Sequence, residues 1–116
     1  MRAPTHPAVQ IDYLHRSDEE IVGAVQIGAQ EPLFEGHYPG LAIVPGVLVI
    51  DVVTAIATAL TGAPQWDISS ARFRDLIVPP AQLTIRARRD GDGMVAATCS
   101  QGPSQVASIR LGQIGR

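Results

Sequence analysis

Between Pro45-Gly46 and Gly62 lies one apolar run, Val47 to Thr61 (VLVIDVVTAIATALT), whose only charge is Asp51. It is shorter than the ~20 residues that a bilayer span requires. It does not alternate apolar with polar residues, so it is not a half-exposed strand. Length and punctuation predict a helix: Pro45 and Gly46 suit its entry, and Gly62 suits the position just past its end. Its many β-branched residues slightly lower helix propensity. A helix this apolar must be wrapped by protein on most sides. The rest of the chain has to supply the wrapping.

What surrounds the run reads as strands. Val9 to Leu14 predicts a short strand, Ser17 and Asp18 a turn, and Glu20 to Gly28 a second strand with Ile21, Gly23, Val25 and Ile27 on one face. After the helix, Ala63-Pro64-Gln65 links to a long strand over Trp66–Val78, bent near its middle and stopped by Pro79-Pro80. Gln82 to Arg89 alternates, with Leu83, Ile85 and Ala87 inward and Thr84, Arg86 and Arg88 outward. Asp90-Gly91-Asp92-Gly93 is a hairpin turn. Met94 to Ser100 and Gln105 to Leu111 complete a meander around a turn at Gln101–Ser104, and 112–116 is a tail. The pattern is an α+β domain: an antiparallel sheet wrapped around one central helix.

Several function classes drop out. At 116 residues the chain fits a single domain, 1–116, with 1–7 expected to be flexible. Its core is modest, and pairing with a second copy would extend it. A formal charge of −2 argues against general nucleic-acid binding. No segment is long enough to span a membrane, and the first ten residues lack the apolar core of a signal peptide. The one cysteine, Cys99, permits no internal disulfide, in keeping with a cytoplasmic location. With His6, His15 and His37 scattered, no metal-ligand cluster is evident, and no Gly-rich phosphate loop or GxSxG elbow appears. No cofactor is expected.

Two residues ask for chemistry. Asp51 in an apolar helix has a bland reading, a carboxylate at the edge of the buried arc bonded to backbone or water. It also has a functional one, a carboxyl group facing a pocket, where desolvation favours the proton-carrying form. His37 sits among Gly36, Pro39 and Gly40, in a tightly bent loop that can aim an imidazole. A loop histidine is often only solvated, but an aimed one is well suited to take a proton near neutral pH. The first amides of the helix, at Gly46 and Val47, offer donors to a developing oxyanion.

The blocks GHYPG and PGVLVID, with fourteen positions from His37 to Asp51, resemble the bacterial 3-hydroxyacyl-acyl-carrier-protein dehydratases of the hot-dog fold. ARFRDLIVPPAQL is similar to the same family's strand and following Pro turn. The resemblance covers about half the chain. It implies that His37 is the catalytic histidine, Asp51 the catalytic acid, and Gly46 the glycine whose amide binds the thioester carbonyl. It further implies Phe34 as a tunnel wall, and an acyl-carrier protein bearing a phosphopantetheine-linked substrate as partner. In that family the histidine and the acid of one site come from two subunits, which implies a homodimer, a trimer of dimers, or a hot-dog hetero-partner. One departure stands out: the family's Gln one turn after the acid is Ala55 here.

The expected reaction is dehydration of a 3-hydroxyacyl thioester to the trans-2-enoyl thioester, in fatty-acid, polyketide or specialised lipid synthesis. A hot-dog thioesterase and a non-catalytic acyl-binding subunit are the alternatives. Arg72 and Arg74 belong to an arginine group that reads either as a solvated sheet face or as a carrier-docking patch.

Overall fold

The computed structural model describes residues 10–28, 44, 46–78, 80–91 and 93–114. The candidate residues Phe34 and His37, with the Gly36–Gly40 loop, lie outside the described residues.

Two strands, β1 (Ile11–Arg16) and β2 (Glu20–Ile27), form the first hairpin. Ser17 closes it: its amide donates to the Glu20 carbonyl at 2.8 Å, and its hydroxyl oxygen accepts from the amides of Glu19 and Glu20. β1 runs two residues past the expected Leu14. The cause is a bulge between Tyr13 and His15, which breaks the alternation that a period-2 reading follows.

The predicted helix is α1 (Gly46–Thr61). It ends as the sequence implied. Gly62 takes φ +84° and its amide donates to the Thr58 carbonyl at 2.7 Å. No basic residue stands in the helix's last turn. The cations come from the sheet instead: Arg16 Nη2 donates to the Ala59 carbonyl at 3.0 Å and Arg89 Nη2 to the Leu60 carbonyl at 3.1 Å. Both face the negative end of the helix dipole. Trp66 Nε1 donates to Thr58 Oγ1 at 3.1 Å and ties the helix's last turns to the strand that follows.

The remaining strands are β3 (Trp66–Phe73), β4 (Ala81–Arg89), β5 (Met94–Gln101) and β6 (Ser104–Gln113). All pairings are antiparallel, in the order β1-β2-β4-β5-β6-β3. β4 alternates as expected, with Leu83, Ile85 and Ala87 buried and Thr84, Arg86 and Arg88 exposed. Gly91 (φ +79°) and Gly93 (φ +75°) make the β4–β5 turn. β3 is shorter than the long strand expected over 66–78. Past Arg74, whose amide still donates to the Val106 carbonyl at 2.8 Å, the chain leaves β6, and Ile77 gives its carbonyl to the Val44 amide at 2.7 Å.

The core lies between α1 and one face of the sheet. Leu48, Val49, Val52, Val53, Ile56, Ala57 and Leu60 pack there against Ile21, Val25, Leu83, Ile85, Ile109 and Leu111, among others. Gly23 makes the close approach possible, since a Cβ there would stand 3.1 Å from Ile11 Cγ2 and 3.2 Å from Ile56 Cδ1. The sheet wraps the one helix as expected, on the flank that it reaches. The sheet covers one side, while Val47 and Asp51 are exposed and Ile50, Thr54, Ala55 and Thr58 only half-buried. Six strands in a single layer reach one flank of a helix, and the other flank is apolar without a cover among the described residues.

Two outcomes follow from these contacts. Arg89→Ala should lower unfolding free energy by about 1–2 kcal/mol in denaturant titration, because it removes charge-assisted bonds to the Leu60 and Asp18 carbonyls. Cys99 is fully buried, and burial pushes its thiol up from 9.0 to about 12. The folded chain therefore holds this proton to higher pH than the unfolded chain. The associated stability is complete below about pH 9 and is lost as pH rises towards 12. Cys99→Ala should flatten that alkaline loss, and the native thiol should resist a disulfide-exchange reagent at pH 8.

Candidate active site

The first turn of α1 is a cluster of donors. Its leading amides have no intrahelical acceptor, and no acidic residue stands in the turn to offset the positive end of the dipole. Gly46 opens the helix. Its position is fixed from two sides, by the Val44–Ile77 backbone bond just before it and by the Phe73 ring beside it. A Cβ on Gly46 would stand 3.2 Å from Phe73 Cζ.

Asp51 lies on the same helix, about 7.5 Å further along the axis and about 140° round it from Gly46. Gly46 thus turns its flank to its own sheet, and Asp51 falls off the buried stripe. Of the two readings of Asp51, this chain on its own fits the carboxylate at the edge of the buried arc: Asp51 is exposed, because the sheet lies on the opposite flank of the helix. Thr54 Oγ1 donates to the Asp51 carbonyl at 2.8 Å, a local bond that leaves the carboxyl group to other partners. Ala55, one turn on, packs against the rim of the core. A longer polar side chain there would reach the same exposed flank as Asp51.

On the helix start, at the end of β3 and beside the Val44–Ile77 bond, apolar side chains stand exposed. Val47 is 69% exposed, Leu76 69%, Val78 49% and Phe73 42%. Contiguous exposed apolar surface marks a place where a ligand or a second chain sits. β3 continues it. It is an edge strand, exposed along nearly its whole length, with Ile68 half open.

Arg72 and Arg74 are elsewhere. Phe73 faces the helix, so strand alternation turns Arg72 to the outer face of the sheet, where its cross-strand neighbour is Ser108. That face also carries Arg86, paired with Glu20 at 2.8 Å, and Arg110, paired with Asp90 at 2.6 Å. Among the described residues neither Arg72 nor Arg74 has an ion-pair partner. Of the residues singled out in the sequence, Gly46, Val47 and Asp51 share the start of α1, and Arg72 lies on the opposite face of the sheet. Phe73 is a residue that the sequence reading missed. Its signal was present, an aromatic residue between two arginines at the end of a strand.

Among the described residues no helix is long and apolar enough to cross a membrane, and no group of three His, Cys, Asp or Glu could hold a metal ion.

Comparison with known proteins identifies a family and a fold. A family model described as ApeI-like, for the ApeI dehydratase, matches residues 13–110. A 3-hydroxyacyl-[acyl-carrier-protein] dehydratase FabZ from Desulforamulus reducens is 34% identical over 69% of this chain and 64% of its own. The chain thus spans less than two thirds of that relative's length. Among solved structures, the dehydratase heterocomplex ApeI:P from Xenorhabdus doucetiae aligns with TM-score 0.75 at 20% identity, covering 89% of this chain and 96% of that one. Thioesterase superfamily member 2 from Mus musculus aligns with TM-score 0.64 at 13% identity, covering 90% and 82%. These likenesses show the fold: a curved antiparallel sheet with one helix, the hot-dog arrangement.

Proposed function

The chain belongs to the ApeI-like dehydratase family, and from that premise we propose that it removes water from a 3-hydroxyacyl thioester to give the trans-2-enoyl thioester. The observation that carries this reading is the start of α1. An oxyanion donor and a carboxyl group stand within one and a half turns, at an apolar surface left open by the chain's own core.

Each residue has one task. The Gly46 amide, helped by Val47, holds the thioester oxygen and spreads the charge that develops when C2 loses its proton. One such donor stabilises a transition state by about 3 kcal/mol. His37 takes the C2 proton. The electron pair left behind forms the C2–C3 double bond as the C3–O bond breaks. Asp51 protonates the departing hydroxide, so that water leaves. The proton collected by His37 then restores Asp51. Phe34 lines the acyl channel. No metal or organic cofactor enters any step.

Asp51 is exposed in one chain, and a carboxyl acid works best out of water. The cover comes from a second chain. β3 presents an edge strand with open apolar side chains, and such an edge is a template for strand pairing. A second copy docked there would extend the sheet across β3 and cover the helix start beside Phe73. His37 of one copy would then serve Asp51 of the other, in a homodimer or a trimer of dimers. A hot-dog hetero-partner is the other form of the same idea, in line with the heterocomplex in which the similar ApeI is found. The substrate arrives on the phosphopantetheine arm of an acyl-carrier protein. Arg72 and Arg74 offer that acidic protein a docking contact on the outer face. A cytoplasmic location suits Cys99, a buried free thiol.

Two measurements test this. Incubation with 3-hydroxyacyl-carrier-protein thioesters, read by mass spectrometry, should show loss of water. His37→Ala and Asp51→Asn should each lower the rate at least about a hundredfold while keeping the fold. Free acid as the product would make the protein a thioesterase. An unreacted thioester across chain lengths and carriers would favour an acyl-binding subunit, the reading to which Ala55 lends itself. In light scattering the wild type should weigh twice 12.3 kDa or a larger even multiple, and Ile68→Lys on the β3 edge should drive it towards the monomer with loss of turnover.

A further inference from the structure

Gly46 does not take a positive φ; the glycines that do, among the described residues, are Gly62, Gly91, Gly93 and Gly102. Backbone freedom is therefore not what position 46 requires. What it requires is space. A Cβ there would lie 3.2 Å from Cζ, 3.4 Å from Cε2 and 3.7 Å from Cε1 of Phe73, so the end of the ring rests against the Gly46 Cα. The ring is 42% exposed, and its contact with the helix start is not explained by burial in the core.

The backbone that carries the ring is held. Phe73 pairs with Ala107 on β6, and the next amide, Arg74 N, donates to the Val106 carbonyl at 2.8 Å. The chain entering α1 is bonded in turn to Ile77, four residues beyond Phe73. The first amide of α1 thus stands between a fixed aromatic wall and a fixed backbone bridge.

The geometry points to Phe73 as the positioning residue of the Gly46 amide: its ring sets where the oxyanion donor points and keeps water from one flank of it. This deepens the reading of Gly46 as the donor and rests on it. Misplacement of a donor by less than an ångström weakens its bond to the developing oxyanion more than its bond to the ground-state carbonyl. The cost therefore falls on kcat and not on KM.

The test is a double-mutant cycle on the full-length protein with a 3-hydroxyacyl thioester. Phe73→Ala should keep the melting temperature within a few degrees, lower kcat about tenfold and leave KM within about twofold. Gly46→Ala should lower kcat about a hundredfold, because its new methyl group meets the ring. The double variant should return to about the rate of Phe73→Ala alone, since the ring that was struck is gone. A Phe73→Ala enzyme with unchanged kcat, one altered only in KM, or a double variant no faster than Gly46→Ala would overturn the role of Phe73 while leaving the dehydratase reading intact. Absence of dehydration by the wild type would overturn both. Should Phe73→Ala not fold, Phe73→Leu carries the same comparison, because leucine keeps apolar bulk on the strand but lacks the Cζ that touches Gly46.

Discussion

One helix cannot be covered on all sides by one layer of sheet. α1 is apolar on nearly every face, and six strands bury the stripe from Leu48 to Leu60. The remaining flank, with Val47, Asp51, Thr54 and Ala55, stays at the surface of the chain. The rest of the molecule follows from this partial cover. The two arginines that cap the helix's far end, Arg16 and Arg89, fix its direction on the sheet. Gly23 fixes its distance from it. Its N-terminus is thereby set beside the β3 edge, where the sheet stops.

That placement divides structure from chemistry. Among the described residues no polar or charged side chain is buried, and Asp51 lies outside the core. Its carboxyl group stands exposed on the flank that the sheet does not cover. Gly46 is the opposite case. It is held by Phe73 and by the bond between Val44 and Ile77, and its amide gains a fixed direction from the same contacts that start the helix. On the proposed mechanism, a donor rigidly placed and an acid completed by a partner are what a site shared between two chains requires.

Much of this was legible in the sequence where local rules decide. The helix was bracketed by Pro45 and Gly62, and Gly62 does adopt the left-handed conformation that ends it. Leu83, Ile85 and Ala87 alternated inward because β4 lies in mid-sheet with one face wet. The Asp-Gly-rich turn before Met94 was equally plain. The misses came where tertiary context decides. The bulge between Tyr13 and His15 shifted β1, and β3 ends at Phe73, before the segment whose Ile77 carbonyl bonds the Val44 amide. Whether Asp51 is desolvated or stands at the edge of the buried arc stayed open, because an apolar run alone does not say which flank of a helix the sheet covers. The wall that Phe73 makes against Gly46 joins two segments far apart in the chain, and no periodicity reports it. The readings of Phe34 and His37 rest on motif alone, outside the described residues.

On the proposed mechanism the active site is built from two chains, with His37 from one and Asp51 from the other. Co-expression of two differently tagged copies, one His37→Ala and one Asp51→Asn, tests it most directly. Each variant alone is inactive on this account. Purified mixed dimers should recover turnover, because one of their two composite sites keeps both groups, and a randomly paired population should reach about a quarter of the wild-type rate. Mixed dimers as inactive as either parent would contradict the account, placing both groups in a single chain or removing one of them from the chemistry.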